Sequence, residues 1–92
     1  MRDRPDWTFL SNHAHVIVCL AHEPDSRIRD VAELVGITER TVTAIIADLD
    51  EAGIVTVEKV GRRNRYRINR RARLRHPLEE HKTVGDLLRA IS

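Results

Sequence analysis

A single cysteine, Cys19, stands in the 92-residue chain, so no internal disulfide can staple it. The core alone has to hold the fold, in a compartment that need not be oxidising. Aromatic rings are scarce: Trp7, Phe9 and Tyr66 are the whole set. That is too few for the stacking platforms on which single-stranded nucleic acid is usually bound. The longest unbroken apolar run is residues 16–21, far short of the about 20 residues a bilayer span requires. No charged, apolar and small-residue leader pattern opens the chain, and a soluble, cytoplasmic protein is expected. Only Ser11, Ser26 and Ser92 are serines. There is no Gly-x-Ser-x-Gly, no phosphate-cradling glycine loop and no acid pair in an apolar setting, so catalysis is not expected and no catalytic residue or cofactor is assigned.

What is present is enough Leu, Ile and Val for one small core: 41% of residues are hydrophobic and 33% charged. That is the balance of a globular domain, taken to span residues 1–92. The formal net charge of +2 conceals a segregation. Residues 59–75 hold nine bases and no acid, leaving seven bases against fourteen acids elsewhere. Eight of the nine are arginines, whose planar forks match phosphates and base edges. A polyanion is the partner this pattern favours.

Apolar positions spaced by three and four predict a first helix over 8–21, a short second one over about 29–35, and a third over 38–52. Gly36 closes the second, Thr38 is a good N-cap for the third, and Gly53 ends it. Val42, Ile45, Ile46 and Leu49 form its buried stripe. The residue types then become β-branched and predict a hairpin around a tip at 61–64, with Val55, Val57, Tyr66 and Ile68 inward and Arg65 and Arg67 outward. A last helix over 83–91 carries Val84, Leu87, Leu88 and Ile91. Helix, short helix, glycine turn and helix is the helix-turn-helix order. A basic hairpin directly after it makes the winged version, mainly α with a small β-wing.

Residues 28–68, with VAELVGIT as helix and turn, TERTVTAIIADLDEAGIV as recognition helix and exit, and VGRRNRYRI as wing, resemble winged helix-turn-helix transcription regulators of the MarR and ArsR type. The resemblance implies a dimeric, sequence-specific regulator of double-stranded DNA, with repression the expected sign. On the third helix, the face opposite the buried stripe carries Arg40, Ala44, Ala47 and, at the far end, Glu51, flanked by Glu39 and Thr43. Thr38, Glu39, Arg40, Thr41, Thr43 and Ala44 are therefore the candidates for the major groove, where arginine can fork onto guanine and threonine methyls suit thymine. Acids Asp48, Asp50 and Glu51 crowd the other end, against the helix dipole. This keeps negative charge away from the amino end. On the wing, Arg62, Arg63, Arg65 and Arg67 are candidates for phosphate or minor-groove contact.

The first helix shows more apolar arc than one core hides, and MarR- and ArsR-type regulators dimerise through terminal helices. A two-fold homodimer is expected through Trp7, Phe9 and Leu10 with Val84, Leu87, Leu88 and Ile91. Two other functions are compatible with the sequence. His15, Cys19 and His22 share one stripe of the first helix, a soft-ligand set that suggests a metal-responsive ArsR-like regulator. The 1.5 Å rise spreads them too far for one ion, and His76 or His81 would have to contribute, so no metal is assigned. The same architecture also serves as an adaptor binding RNA or protein. No effector molecule is legible.

Overall fold

Ser11 starts the first helix. In the computed structural model, which describes residues 4–91, its extended backbone and side-chain oxygen cap α1 (Asn12–His22) by accepting from Ala14 N. The expected domain span reaches beyond this to residues 1–3 and 92, which lie outside the described residues. The helix expected from residue 8 is thus shorter at its amino end. Thr8 turns its hydroxyl onto Leu10 O at 2.7 Å, and Phe9 and Leu10 belong to an N-terminal arm. A short turn leads to α2 (Ile28–Val35). Gly36 follows at φ +88°, a left-handed cap whose N–H donates to Ala32 O at 2.8 Å. A side chain there would be strained and would collide with Arg4, whose Nη2 donates to Glu33 O at 3.4 Å.

Two residues on, Thr38 caps α3 (Glu39–Glu51) by accepting from Thr41 N at 3.1 Å. Ile54 N returns to Leu49 O, and the chain enters the antiparallel hairpin of β1 (Val55–Val60) and β2 (Arg63–Ile68). The register pairs Val55 with Ile68, Val57 with Tyr66 and Val60 with Arg63. The expected four-residue tip therefore shrinks to Gly61 and Arg62, and Asn64 is a strand residue paired with Lys59. Gly61 has φ +65° while Arg62 does not enter positive φ, the pattern of a tight hairpin turn with glycine first. Val55, Val57, Tyr66 and Ile68 face inward as their alternation predicts, with Val55 and Tyr66 buried.

The connector after β2 makes an isolated bridge, Arg73 with Thr83, before α4 (Val84–Ile91). Thr83 and Asp86 cap this helix reciprocally: Thr83 N donates to Asp86 Oδ2 at 2.9 Å and Asp86 N to Thr83 Oγ1 at 3.1 Å. Gly85 explains the close approach beneath it. Its N–H donates to Arg70 O at 2.9 Å, and an added Cβ would stand 3.0 Å from that same oxygen.

One core joins these pieces. Val16, Ile17 and Leu20 of α1, Val31 and Ala32 of α2, the Val42, Ile45, Ile46 and Leu49 stripe of α3, Ile54, Val55 and Tyr66 of the hairpin region, and Val84 and Leu88 of α4 are buried together. No charged or polar residue is buried with them among the described residues. Hydrophobic burial, at about 1.5–3 kcal/mol for each large aliphatic side chain, therefore orients α3. The architecture is a winged helix-turn-helix, three helices followed by a two-stranded wing and a C-terminal helix. No helix among the described residues is long and apolar enough to cross a membrane.

Candidate nucleic-acid interface

Burial of one side of α3 decides what the other side shows. With Val42, Ile45, Ile46 and Leu49 turned inward, Glu39, Arg40, Thr41, Thr43, Ala44 and Ala47 are all exposed. Thr38 is occupied: besides its cap, its hydroxyl lies 2.8 Å from that of Thr41. Arg40 makes no hydrogen bond or ion pair among the described residues, so its whole guanidinium is open to an acceptor. Apart from Arg40 and Glu39 that face is made of short side chains, which lets a helix backbone approach a partner closely. At the carboxyl end Asp48 has a partner, accepting from His13 Nε2 of α1 at 2.9 Å. This moderates one of the acids that oppose the helix dipole.

The wing differs. Arg62 sits in the two-residue turn without a partner among the described residues, but its three companions are engaged within the chain. Arg65 donates Nε to Asp25 Oδ1 at 2.9 Å and Nη2 to Asp25 Oδ2 at 3.5 Å. Arg63 Nη2 donates to Asp25 O, and Arg67 Nη2 lies 2.9 Å from Glu58 Oε1. The Arg65 hydrogen bond, with the charges of Arg65 and Arg63, holds the Asp25 carboxyl below the usual carboxylate range. Arg65 and Arg67 do lie on the outward face, as their alternation predicts, and Arg63, expected in the tip, joins them as the first residue of β2, yet two acids reduce the charge they present.

The run of nine bases, read along the sequence as one arm, is two regions in space. Lys59, Arg62, Arg63, Arg65 and Arg67 ride on the hairpin, whose six-residue strands extend it about 20 Å from its base. Arg70, Arg71, Arg73 and Arg75 lie in the connector at that base, where Arg73 Nη1 donates to Glu80 O at 3.2 Å.

The other predicted groupings separate as well. On α1, His15 Nδ1 hydrogen-bonds with Asn12 Oδ1 at 3.2 Å, Cys19 is half-buried with its thiol pushed up by that burial, and His22 is exposed. Among the described residues, no three His, Cys, Asp or Glu side chains gather as a metal site would require. Of the residues expected at a dimer interface, Val84 and Leu88 are only 3% and 1% exposed and belong to the chain's own core. Apolar surface is left by Trp7 and Phe9, 69% and 94% exposed and in edge-to-face contact with ring centroids 5.3 Å apart, and by Ile91. Phe9, Leu10 and Leu87 also line a groove of about 600 Å³ with Ile17, Leu49 and Leu74.

Two features escaped sequence reasoning. Asp25 is forty residues from the arginine it binds, and nothing local to it announces the pairing. The Thr83–Asp86 cap was readable, since Thr-x-x-Asp before an apolar stripe is a helix-start signature.

Residues 14–76, from α1 through the wing to the connector, match the model of the Crp-like helix-turn-helix domain. The chain belongs to that family. The matched region thus contains α1 from Ala14 onward, α2, α3 and the wing described above, and the match supports a DNA-binding regulator of the winged helix-turn-helix class. No curated protein matches the chain.

Proposed function

We propose that the chain is a cytoplasmic, homodimeric transcriptional repressor that recognises a double-stranded operator. The observation that carries this reading is the exposed, short-chained face of α3 with Arg40 unpartnered, set opposite a fully buried stripe. In the major groove Arg40 would fork onto a guanine, Glu39 would accept from a cytosine amine, and Thr41, Thr43 and Ala44 would meet base edges and methyl groups. Thr38 would hold the helix start in shape beside a phosphate. Arg62, Arg63, Arg65 and Arg67 would lie on the flanking backbone or in the adjacent minor groove. No catalytic step is needed, and none is assigned.

Two copies would meet through Trp7, Phe9 and Leu10 of one arm and Leu87 and Ile91 of α4, in the manner that the MarR and ArsR resemblance implies. Val84 and Leu88 would support that surface from beneath. The exposed Trp7–Phe9 pair favours this, because a rigid aromatic pair left in water is the kind of group that anchors interfaces. A two-fold dimer would place its half-sites about 34–36 Å apart.

Sequencing the fragments that the protein selects from random duplexes tests the proposal. A split palindrome is expected, and sedimentation at tens of micromolar should give a dimer. Competition among duplex DNA, duplex RNA and single strands at physiological salt completes the test. A preference for RNA would overturn the operator reading, and a monomer would remove the dimer.

A further inference from the structure

Two of the wing's guanidinium groups are held by a residue that is not on the wing. Asp25 lies in the turn between α1 and α2. Its carboxylate accepts both Nε and Nη2 of Arg65, and its main-chain oxygen accepts Arg63 Nη2. One residue earlier, Pro24 O accepts the Tyr66 amide at 2.9 Å. Two consecutive residues thus grip three positions of β2, Arg63, Arg65 and Tyr66, along the edge that β1 leaves open. Two side chains are bound, and the backbone just beyond the second is fixed.

For a surface that meets DNA, a carboxylate at this place is electrostatically unfavourable. It cancels one of two neighbouring cations, and counterion release makes each lost cation a loss of affinity for every duplex, whatever its sequence. What the contact supplies is direction. A guanidinium carries five N–H donors in one plane, so fixing Nε and one Nη against a carboxylate aims the donors that remain. Arg62, one residue beyond the gripped segment, shows the alternative: charge without a fixed orientation.

We propose that Asp25 is a positioning residue of the DNA-binding surface, lowering the wing's attraction for any duplex while fixing where Arg63 and Arg65 meet the backbone of a matching one. This rests on the operator reading above.

The test compares wild type, Asp25→Asn and Arg65→Lys on a selected duplex and on a random duplex. Salt is varied from about 50 to about 200 mM, and thermal unfolding is recorded for each variant. Asp25→Asn keeps the size and an acceptor oxygen but removes the charge. It is expected to bind the random duplex several-fold tighter, with a log–log salt slope steeper by about 0.9, the value of one phosphate contact. The selected-to-random ratio should fall several-fold. Arg65→Lys keeps the cation and loses the fork, so its slope should stay that of wild type while the ratio falls. It also answers the question if Asp25→Asn disturbs the turn. An Asp25→Asn protein that weakens on both duplexes equally at unchanged slope would show a merely structural residue and overturn the proposal, as would an unchanged ratio in Arg65→Lys. If wild type binds no duplex, the operator reading falls first and takes this one with it. If wild type binds and only the variant predictions fail, the positioning role alone is wrong.

Discussion

The recognition helix and the wing are both candidate contacts for one duplex, yet they are stabilised in opposite ways. α3 is anchored by its buried stripe, while its outward side chains are exposed, and Arg40 makes no hydrogen bond or ion pair among the described residues. The wing has inward anchors too, Val55 and Tyr66, but its outward cations are also tied down, to Asp25 and to Glu58. Outside the Thr38–Thr41 cap, separating the two jobs on α3 lets outer residues such as Arg40, Thr43 and Ala44 be changed with little effect on stability. On the wing the jobs overlap, so a change in charge is also a change in geometry. Arginines that look equivalent along the sequence should therefore behave differently.

The largest effect should come from the inner face of α3. Ile45→Ala removes a buried side chain and is expected to destabilise the domain by about 2–5 kcal/mol, read as a lower denaturation midpoint. A loss well below that would mean that α3 is held by something other than its stripe. Arg40→Ala, five residues earlier and on the outer face, should leave the midpoint where it is. It should cost about 1–3 kcal/mol of discrimination at a single operator position. If it lowers affinity evenly across sequences, the division between the two faces is wrong. Arg62→Ala, at the unpositioned tip, should do what Arg40→Ala should not: weaken all duplexes alike and reduce the salt slope by about 0.9.

The smallest effect concerns α4 and acid. The main-chain N–H of Thr83, together with its hydroxyl, holds the Asp86 carboxyl below the usual carboxylate range, with help from Arg89 and Lys82. A carboxylate whose folded value is depressed contributes stability that is complete above the unfolded value of about 3.9 and disappears as pH falls through the folded one. The Asp86 side-chain carbon should therefore titrate in NMR with a midpoint below about 3.9. Protection of the α4 amides should begin to weaken only in that same acid range. A midpoint at the ordinary value would remove the cap as a contributor.

Periodicity made most of this architecture legible. The stripes on α3 and α4, and the inward set of the hairpin, follow from spacing alone, because 3.6 and 2 are properties of single elements. What spacing does not contain is the partner of a stripe. Val84 and Leu88 read equally well as the cover of a second chain or of their own core, and the core takes them. Phe9 and Leu10 fit the first helix by spacing, but Ser11 offers a cap that starts the helix after them. The pairing of Asp25 with Arg65 spans forty positions and exists only once the turn before α2 lies along β2. Charges counted along the chain could thus locate the arginines without locating what restrains them.

The bond from the Tyr66 amide to Pro24 has a consequence for how such a wing can change in length. It ties the middle of β2 to a point outside the hairpin, so sliding one strand past the other would break that tie and turn Tyr66 out to water. Insertions between Tyr66 and the core are therefore closed off. Growth that keeps the grip on Arg63 has to come beyond the Val60 and Arg63 pair, in matched increments of two residues per strand, and a longer reach along a duplex would have to be built from the tip outward.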